Sequence, residues 1–599
     1  MNEGFLRHYA DELQALRGRA ARFARAYPKI AGRLRLSPET SDDPHVERLI
    51  QSFAFVAART RQKLDDELPE LTDALLETLY PHYLAPVPPA TLVELSPRPG
   101  LEERQIVARH TEIVTEAIEG EACRFRTARA VEIAPIRIAR AQLGGHPVAA
   151  PRRAAWEAVS CLRFDIAQTG GEAPLSQVAP ERLRIHLRGS WREAVALHEL
   201  IAQGCIGVAV AAHADDAAAR FVSAERIRPV GFKADEAMLP HTPSSAPGYR
   251  VLSEFFALPE AFLGFEIDGL TWPDAREASV FLYLARGAGE LERRVSAASF
   301  ALHVTPAINL FSQRAEPVRL DATVGEQPLV PDARRNAERE IHSVARVEVS
   351  ENGRTREAQP FFSERGGEPG ALMWTMRRVE AEDGSTDATI AFVDAGGRPL
   401  APQNGVAGVD TLCFNRDLAT RLPFAEGRPR LSLARAHEAV GAMAFLLPPT
   451  PTLRPGGSGG TGGHEAETGR AWRLISHLTL NHLSLGDEGG GALRAILRLY
   501  ALRDTTETRV MVQALRSVST KPGTARLAGG VVVSGTDVEI VFDAARIDRA
   551  SAHLFASVLD RFLGLYAAIN SFTRLTARLS DVAEPLGRWP ARAGQGPLL

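Results

Sequence analysis

Apolar side chains recur at steps of three and four along the start of the chain: Phe5, Tyr9, Leu13, Leu16, Ala20, Phe23 and Tyr27. At 3.6 residues per turn these steps keep one helix face apolar, while Arg7, Glu12, Arg17, Arg19 and Arg25 fill the positions between. Pro28 lacks the amide hydrogen that a helix interior needs and interrupts the pattern. Asp43-Pro44 then reads as an N-cap acid followed by proline in the first turn. The second helix carries Val46, Leu49, Ile50, Phe53, Val56, Ala57, Thr60 and Leu64 as its stripe. A third, short helix over about Pro69 to Tyr80 presents Leu71, Leu75, Leu76 and Leu79. Pro81, Pro86, Pro88 and Pro89 end it, and this cluster marks the first domain boundary.

From about residue 91 the texture changes to short apolar runs separated by Gly and Pro, which predicts strands. Such runs are Thr91–Leu95, Val131–Ile133, Leu162–Ile166, Leu183–Leu187, Val280–Leu284, Ala345–Val349 and Thr389–Val393. One helix intervenes around Trp191 to Gln203, followed by a strand through Ile206 to Val210. Strands and helices do not alternate regularly, which argues against a doubly wound nucleotide-binding sheet. Pro455 to Gly463 is a glycine-rich run that cannot bury apolar surface and reads as a flexible loop. Periodic apolar residues resume over Trp472 to Leu485. The chain ends with a strand at Val538–Phe542 and a helix from about Ala552 to Phe572. The expected fold is α+β and multidomain: an N-terminal helical segment followed by β-rich domains with interspersed helices. The helical segment covers 1–90, a β-rich middle domain 91–330, and an α+β C-terminal domain 331–599, with the glycine-rich loop at 455–463.

Composition narrows function mainly by exclusion. The 599 residues are 45% hydrophobic and 24% charged, with a formal charge of −3. That is ordinary globular composition without the basic excess of a nucleic-acid binder. Cys123, Cys161, Cys205 and Cys413 contain no Cys-x-x-Cys spacing, so neither a zinc ribbon nor a disulfide framework is expected. They read as buried thiols of a reducing compartment. No secretory signal is visible at Met1–Phe5. The most apolar long window, Ala194 to Ala212, is interrupted by His198, Glu199 and Gln203. It falls short of the roughly 18 apolar residues a membrane span needs. A cytoplasmic protein without a membrane span is expected.

Catalytic motifs fail on context. Gly456-Gly-Ser458-Gly-Gly460 matches the form of a nucleophile elbow, but Pro455 precedes it and more glycine follows. Gly457-x-Gly459-x-x-Gly462 lacks the strand and helix that give a dinucleotide fingerprint its use. His-Glu pairs at His198, His437 and His464 have Ala202, Gly441 and Thr468 one turn on, not a second histidine. His477 and His482 are five apart, on different helix faces. No Gly-Lys occurs for a phosphate loop, and Lys29, Lys63, Lys233 and Lys521 are the only lysines. Asp65-Asp66-Glu67, beside Lys63, reads as a solvated helix-end cluster.

Other segments carry a resemblance. Pro28-Lys-Ile30, Asp43 to Leu49, Phe53-Ala-Phe55, Lys63 to Glu67 and Leu79 to Leu84 resemble the N-terminal signature of the TssF family. Gly231-Phe232, Asp235-Glu236, Leu239-Pro240, Gly248-Tyr249-Arg250 and Glu254-Phe255-Phe256 resemble its central block. Asn309-Leu-Phe311 and Asn415-Arg-Asp417 are similar to its middle part. Trp472 to Leu478, Leu480-Asn481 and Asn570 to Phe572 are similar to its C-terminal part. His241 stands where the family often has an aromatic residue, and the glycine loop is longer than usual.

The resemblance implies a baseplate wedge subunit of the type VI secretion system, a contractile tail. It implies no enzyme activity, cofactor, metal or catalytic residue. The implied partners are TssG, a second TssF copy, TssK, TssE and the VgrG spike, with tube and sheath proteins assembling afterwards. Nucleic acid is not among them, and the baseplate would dock at the inner face of the cell envelope. The stripe Phe5, Tyr9, Leu13, Leu16 and Phe23 is the candidate partner-binding surface, contributing to a bundle with TssG and the second copy. The alternative is a carbohydrate- or peptide-binding β-domain protein without catalysis, which the 7% aromatic content does not favour.

Overall fold

The computed structural model describes residues 9, 10, 12–17, 19, 22, 23, 29, 44–65, 81–153, 157–240, 247–321, 324–361, 372–381, 384–394, 400, 405–455, 490–503, 505–526, 532–564, 567 and 571–593. The chain divides into two units. Met1–Leu79 with Ser458–Thr479 makes the smaller, and Tyr80–Gly457 with Leu480–Leu599 the larger.

In the smaller unit, residues 9, 10, 12–17, 19, 22 and 23 are helical, as the apolar period predicts. Helix α1 (Pro44–Asp65) starts at the proline read as its first turn. Glu47 in that turn accepts from Arg17 Nη2 at 2.5 Å and from Gln51 Nε2 at 3.3 Å. The small residues Ala54 and Ala58, one turn apart, are fully buried. Leu49, Phe53 and Val56 of the stripe face outward instead, 70%, 65% and 61% exposed. The expected helix over Pro69–Tyr80, the glycine run beyond Pro455 and the 472–485 segment lie outside the described residues.

The larger unit is built mainly from antiparallel sheets and is the α+β architecture expected. Pro81, read as a helix breaker, opens a single helical turn, Pro81–Leu84, where its missing N–H costs nothing. Strand Ala90–Pro97 then sits in a six-stranded antiparallel sheet between Val304–Ile308 and Val440–Phe445. Glu121–Thr127, in the same sheet, alternates buried and half-buried positions along its length. A five-stranded sheet is centred on Glu277–Leu284, flanked by Cys205–Ala211 and Ser160–Gln168. Its last seven residues are all buried, which is why Val280–Leu284 is an unbroken apolar run rather than an alternating one. Leu183–Leu187, Gly264–Ile267 and two short neighbours form a four-stranded sheet. Residues 311–414 build a further sheet around the long strands Glu340–Glu351 and Val406–Phe414.

Helices fill the spaces between sheets. Helix α2 (Trp191–Gly204) is capped by Ser190, whose hydroxyl accepts from Glu193 N and donates to the Glu193 carboxylate. Helix α3 (Pro247–Ala257) and helix α4 (Gly491–Tyr500) pack on one another. Helix α5 (Arg549–Leu563), capped by Asp548, packs against both α2 and α3 and buries thirteen of its fifteen residues. It links the parallel strands Val532–Phe542 and Phe572–Leu579, a β–α–β crossover at the end of a largely antiparallel protein. The expected helix to Phe572 is thus shorter. Phe572 opens a strand, and Leu565, Tyr566 and Ile569 lie outside the described residues.

Candidate functional site: a buried arginine–carboxylate cluster

Strands Leu183–Leu187 and Gly264–Ile267 pair so that Arg184 stands directly opposite Glu266. Register therefore creates the ion pair, Arg184 Nη2 to Glu266 Oε2 at 2.7 Å, with Lys233 Nζ on Oε1 at 3.1 Å. Burial alone would raise the Glu266 pKa, but the two cations outweigh it and hold the carboxyl below its ordinary range. Glu236 turns inward from a short 3₁₀ turn and accepts from Gly231 N at 2.8 Å and Lys233 N at 3.2 Å. Gly231 has φ +98°, and a Cβ there would lie 2.7 Å from the Phe262 ring, so glycine is required twice over.

Glu254 of α3 accepts from the backbone N–H groups of Met238 and Leu239 at 2.8 and 2.9 Å. Its second oxygen accepts from Arg250 one turn earlier at 2.9 Å, and both side chains are buried. Arg129, also buried, donates to Ala261 O at 3.0 Å, and burial pushes its pKa down to about 10. A cavity of about 360 Å³ opens between Arg109, Arg129, Arg184, Glu236, Glu266 and His303. Burial lowers His303 to about 4, so it stays neutral.

A second polar junction joins sheets. Asn309 Nδ2 donates to Asn415 Oδ1 at 2.9 Å, and Asn415 N donates to Asn309 Oδ1 at 2.6 Å. Arg124 N adds a third bond, to Asn415 Oδ1, at 3.0 Å. The six-stranded sheet is thereby tied to the end of strand Val406–Phe414. Glu121 strengthens the same seam by pairing with Arg335 and, at 2.9 Å, with Arg339. Arg339 also reaches Asp332 at 3.0 Å.

These ion pairs and hydrogen bonds tie strands, turns and helix α3 to one another. The cluster's carboxylates accept from arginine and lysine side chains or from backbone N–H groups. The four cysteines are free thiols, with burial raising Cys123 and Cys161 to about 12 and Cys205 and Cys413 to about 11. Among the described residues no cluster of three or more His, Cys, Asp or Glu is placed to hold a metal ion. Likewise, no described helix is long and apolar enough to cross a membrane. Of the sequence-derived surface residues, Tyr9, Leu13 and Leu16 are half-buried, Phe23 is 38% exposed, and Phe5 lies outside the described residues. Ser458, His477 and His482 lie outside them too.

Sequence reasoning did not assign the cluster a role. Glu236, Glu254, Asn309 and Asn415 stood in segments resembling the family, but Asn309 and Asn415 meet across 106 positions and Arg184 meets Glu266 across 82. Two local signals were Gly231, three residues ahead of the 3₁₀ turn that presents Glu236, and the one-turn spacing of Arg250 and Glu254.

Fold and cluster together define a large multi-sheet scaffold whose charged residues bind its own elements to one another. Comparison with known proteins makes that particular: the chain belongs to the TssF family of the type VI secretion system, whose model matches residues 1–596. It is similar to the type VI secretion system component TssF1 of Pseudomonas aeruginosa, at 34% identity with all of both chains covered. Its fold is similar to a chain of a type VI secretion system TssK-TssF-TssG baseplate subcomplex. The TM-score is 0.74 and the identity 26%, covering 92% of this chain and 99% of that one. A chain of a second type VI baseplate complex shares the fold with a TM-score of 0.60 at 23% identity, covering 99% of this chain and 100% of that one.

Proposed function

We propose that this chain is a non-catalytic structural subunit of a type VI baseplate wedge. The observation that carries the reading is the family match along essentially the whole chain, with a full-length fold relative drawn from a TssK-TssF-TssG subcomplex. On this reading it joins TssG, a second copy of itself and TssK. TssE and the VgrG spike complete a baseplate that seeds tube and sheath assembly at the cytoplasmic face of the envelope.

The N-terminal helices are the proposed docking surface. Leu49 and Phe53 of α1 lie one turn apart and are mostly exposed, which supports an apolar strip held open for another helix. Tyr9, Leu13, Leu16 and Phe23, with Phe5, are proposed to join the same bundle. Co-expression with TssG of the same bacterium, followed by mass measurement, tests the assembly. Two copies of this chain per TssG are expected, and no shared complex would overturn the reading. Replacing Leu13 and Leu16 with aspartate should abolish co-purification while the larger unit keeps its fold. Retained binding by the folded variant would remove the stripe from the interface.

A further inference from the structure

A shallow depression of about 410 Å³ on the larger unit is lined by Arg494 and Arg498 of α4, Arg516 of strand Leu515–Arg526, and Arg546 in the turn before α5. Asp543 is the carboxylate among its lining residues. Asp543 is already engaged, accepting from Arg546 Nε at 3.3 Å, while Arg546 Nη1 donates to Gln513 at 3.1 Å. Arg494 spends one N–H on Leu515 O at 2.6 Å. Arg498 and Arg516 are exposed and make neither ion pair nor hydrogen bond among the described residues. Arg494 and Arg498 stand one turn apart on α4, where like charges repel. The fold thus gathers four guanidinium groups around one satisfied carboxylate.

We infer that this depression docks a carboxylate-rich segment of another protein. Guanidinium forks match carboxylates in a planar, bidentate geometry, and Arg498 and Arg516 have that capacity unspent. Nucleic acid and anionic membrane would call for a broad basic field. The chain's formal charge is −3, and the depression is lined by four arginines and about 410 Å³ in volume. A short acidic segment matches the scale of the patch. The inference concerns a surface apart from the N-terminal helices and does not depend on the TssG contact.

The test uses the full-length chain and a short fluorescein-labelled peptide of alternating glutamate and alanine, followed by fluorescence anisotropy. Binding should be saturable and should weaken as salt rises. The double variant Arg498→Glu/Arg516→Glu should weaken it roughly tenfold or more, because reversing both charges opposes the ligand directly. Both side chains are exposed, so the melting curve and circular dichroism should match the parent; Arg498→Gln/Arg516→Gln should give an intermediate loss. Absence of binding, equal binding by the charge-reversed variant, or equal binding of a glutamine–alanine peptide would overturn the inference. So would a DNA duplex that outcompetes the peptide and loses its affinity in the same variant.

Discussion

At the scale of single residues, the buried charges of the larger unit hold shape. Arg250 and Glu254 are nearly inaccessible, so removing one leaves the other charged in a low-dielectric setting. Arg250→Ala should therefore destabilise the larger unit by about 3–5 kcal/mol, read as a lower urea midpoint. Gly231→Ala acts through geometry: positive φ and the Phe262 ring both oppose a methyl group. A loss of roughly 1–3 kcal/mol is expected, and an unchanged midpoint would show that the turn can relax. The residue types were readable in advance, since Gly231, Glu236 and Glu254 stood in conspicuous segments. Their roles were not readable, because Arg184 meets Glu266 only through a strand register that spans more than eighty residues of sequence.

At the scale of elements, α5 is where distant parts converge. Phe555 stacks on Phe255 of α3 at 5.8 Å, and Phe562 meets Tyr249 edge-on at 5.6 Å. His553 of α5 lies 2.7 Å from Gln203 of α2 through its Nε2 and stacks on Trp589 at 5.5 Å. The Gln203 amide donates there, which places the neutral imidazole's proton on Nδ1. Burial, with His198, Arg549 and Arg286 adding to it, lowers His553 to about 3, while burial lowers His198 to about 4. Their folded pKa values lie below the unfolded value near 6.5, so the unfolded chain binds more protons as pH falls. The stability these neutral histidines contribute is full above about pH 6.5 and declines toward pH 4. His553→Gln should flatten the fall in melting temperature across that window, whatever its effect at pH 7.5; an unchanged slope would remove His553 as a source. Helix α2 and the strand cores were legible because their apolar periods are local. The C-terminal limit of α5 was not, because Phe572 is apolar in either a helix or a strand and tertiary pairing alone chooses.

For the whole molecule, the seam between sheets decides cohesion. Asn309 and Asn415 exchange two hydrogen bonds between the six-stranded sheet and the strand ending at Phe414. Asn309→Ala leaves the buried Asn415 backbone N–H without its acceptor and should cost about 1–3 kcal/mol. Faster amide exchange on both sides of the seam would accompany it; exchange confined to one sheet would mean the junction does not couple them. The exposed face of α1 belongs to this scale as well, because Leu49 and Phe53 gain little from folding within the chain and most from a partner. By itself, the sequence determined the helical start, the strand-rich body, most element centres and, through ordered motifs, the family. Each depends on local periodicity or on residues adjacent in the chain. Tertiary structure alone decided that Val440–Phe445 returns to pair with Ala90–Pro97, that Glu236 and Glu254 turn inward onto backbone N–H groups, and that four arginines gather around one carboxylate. Hydrogen-bonded register and side-chain packing bring together residues hundreds of positions apart, and one-dimensional patterning carries no record of which distant strand lies alongside.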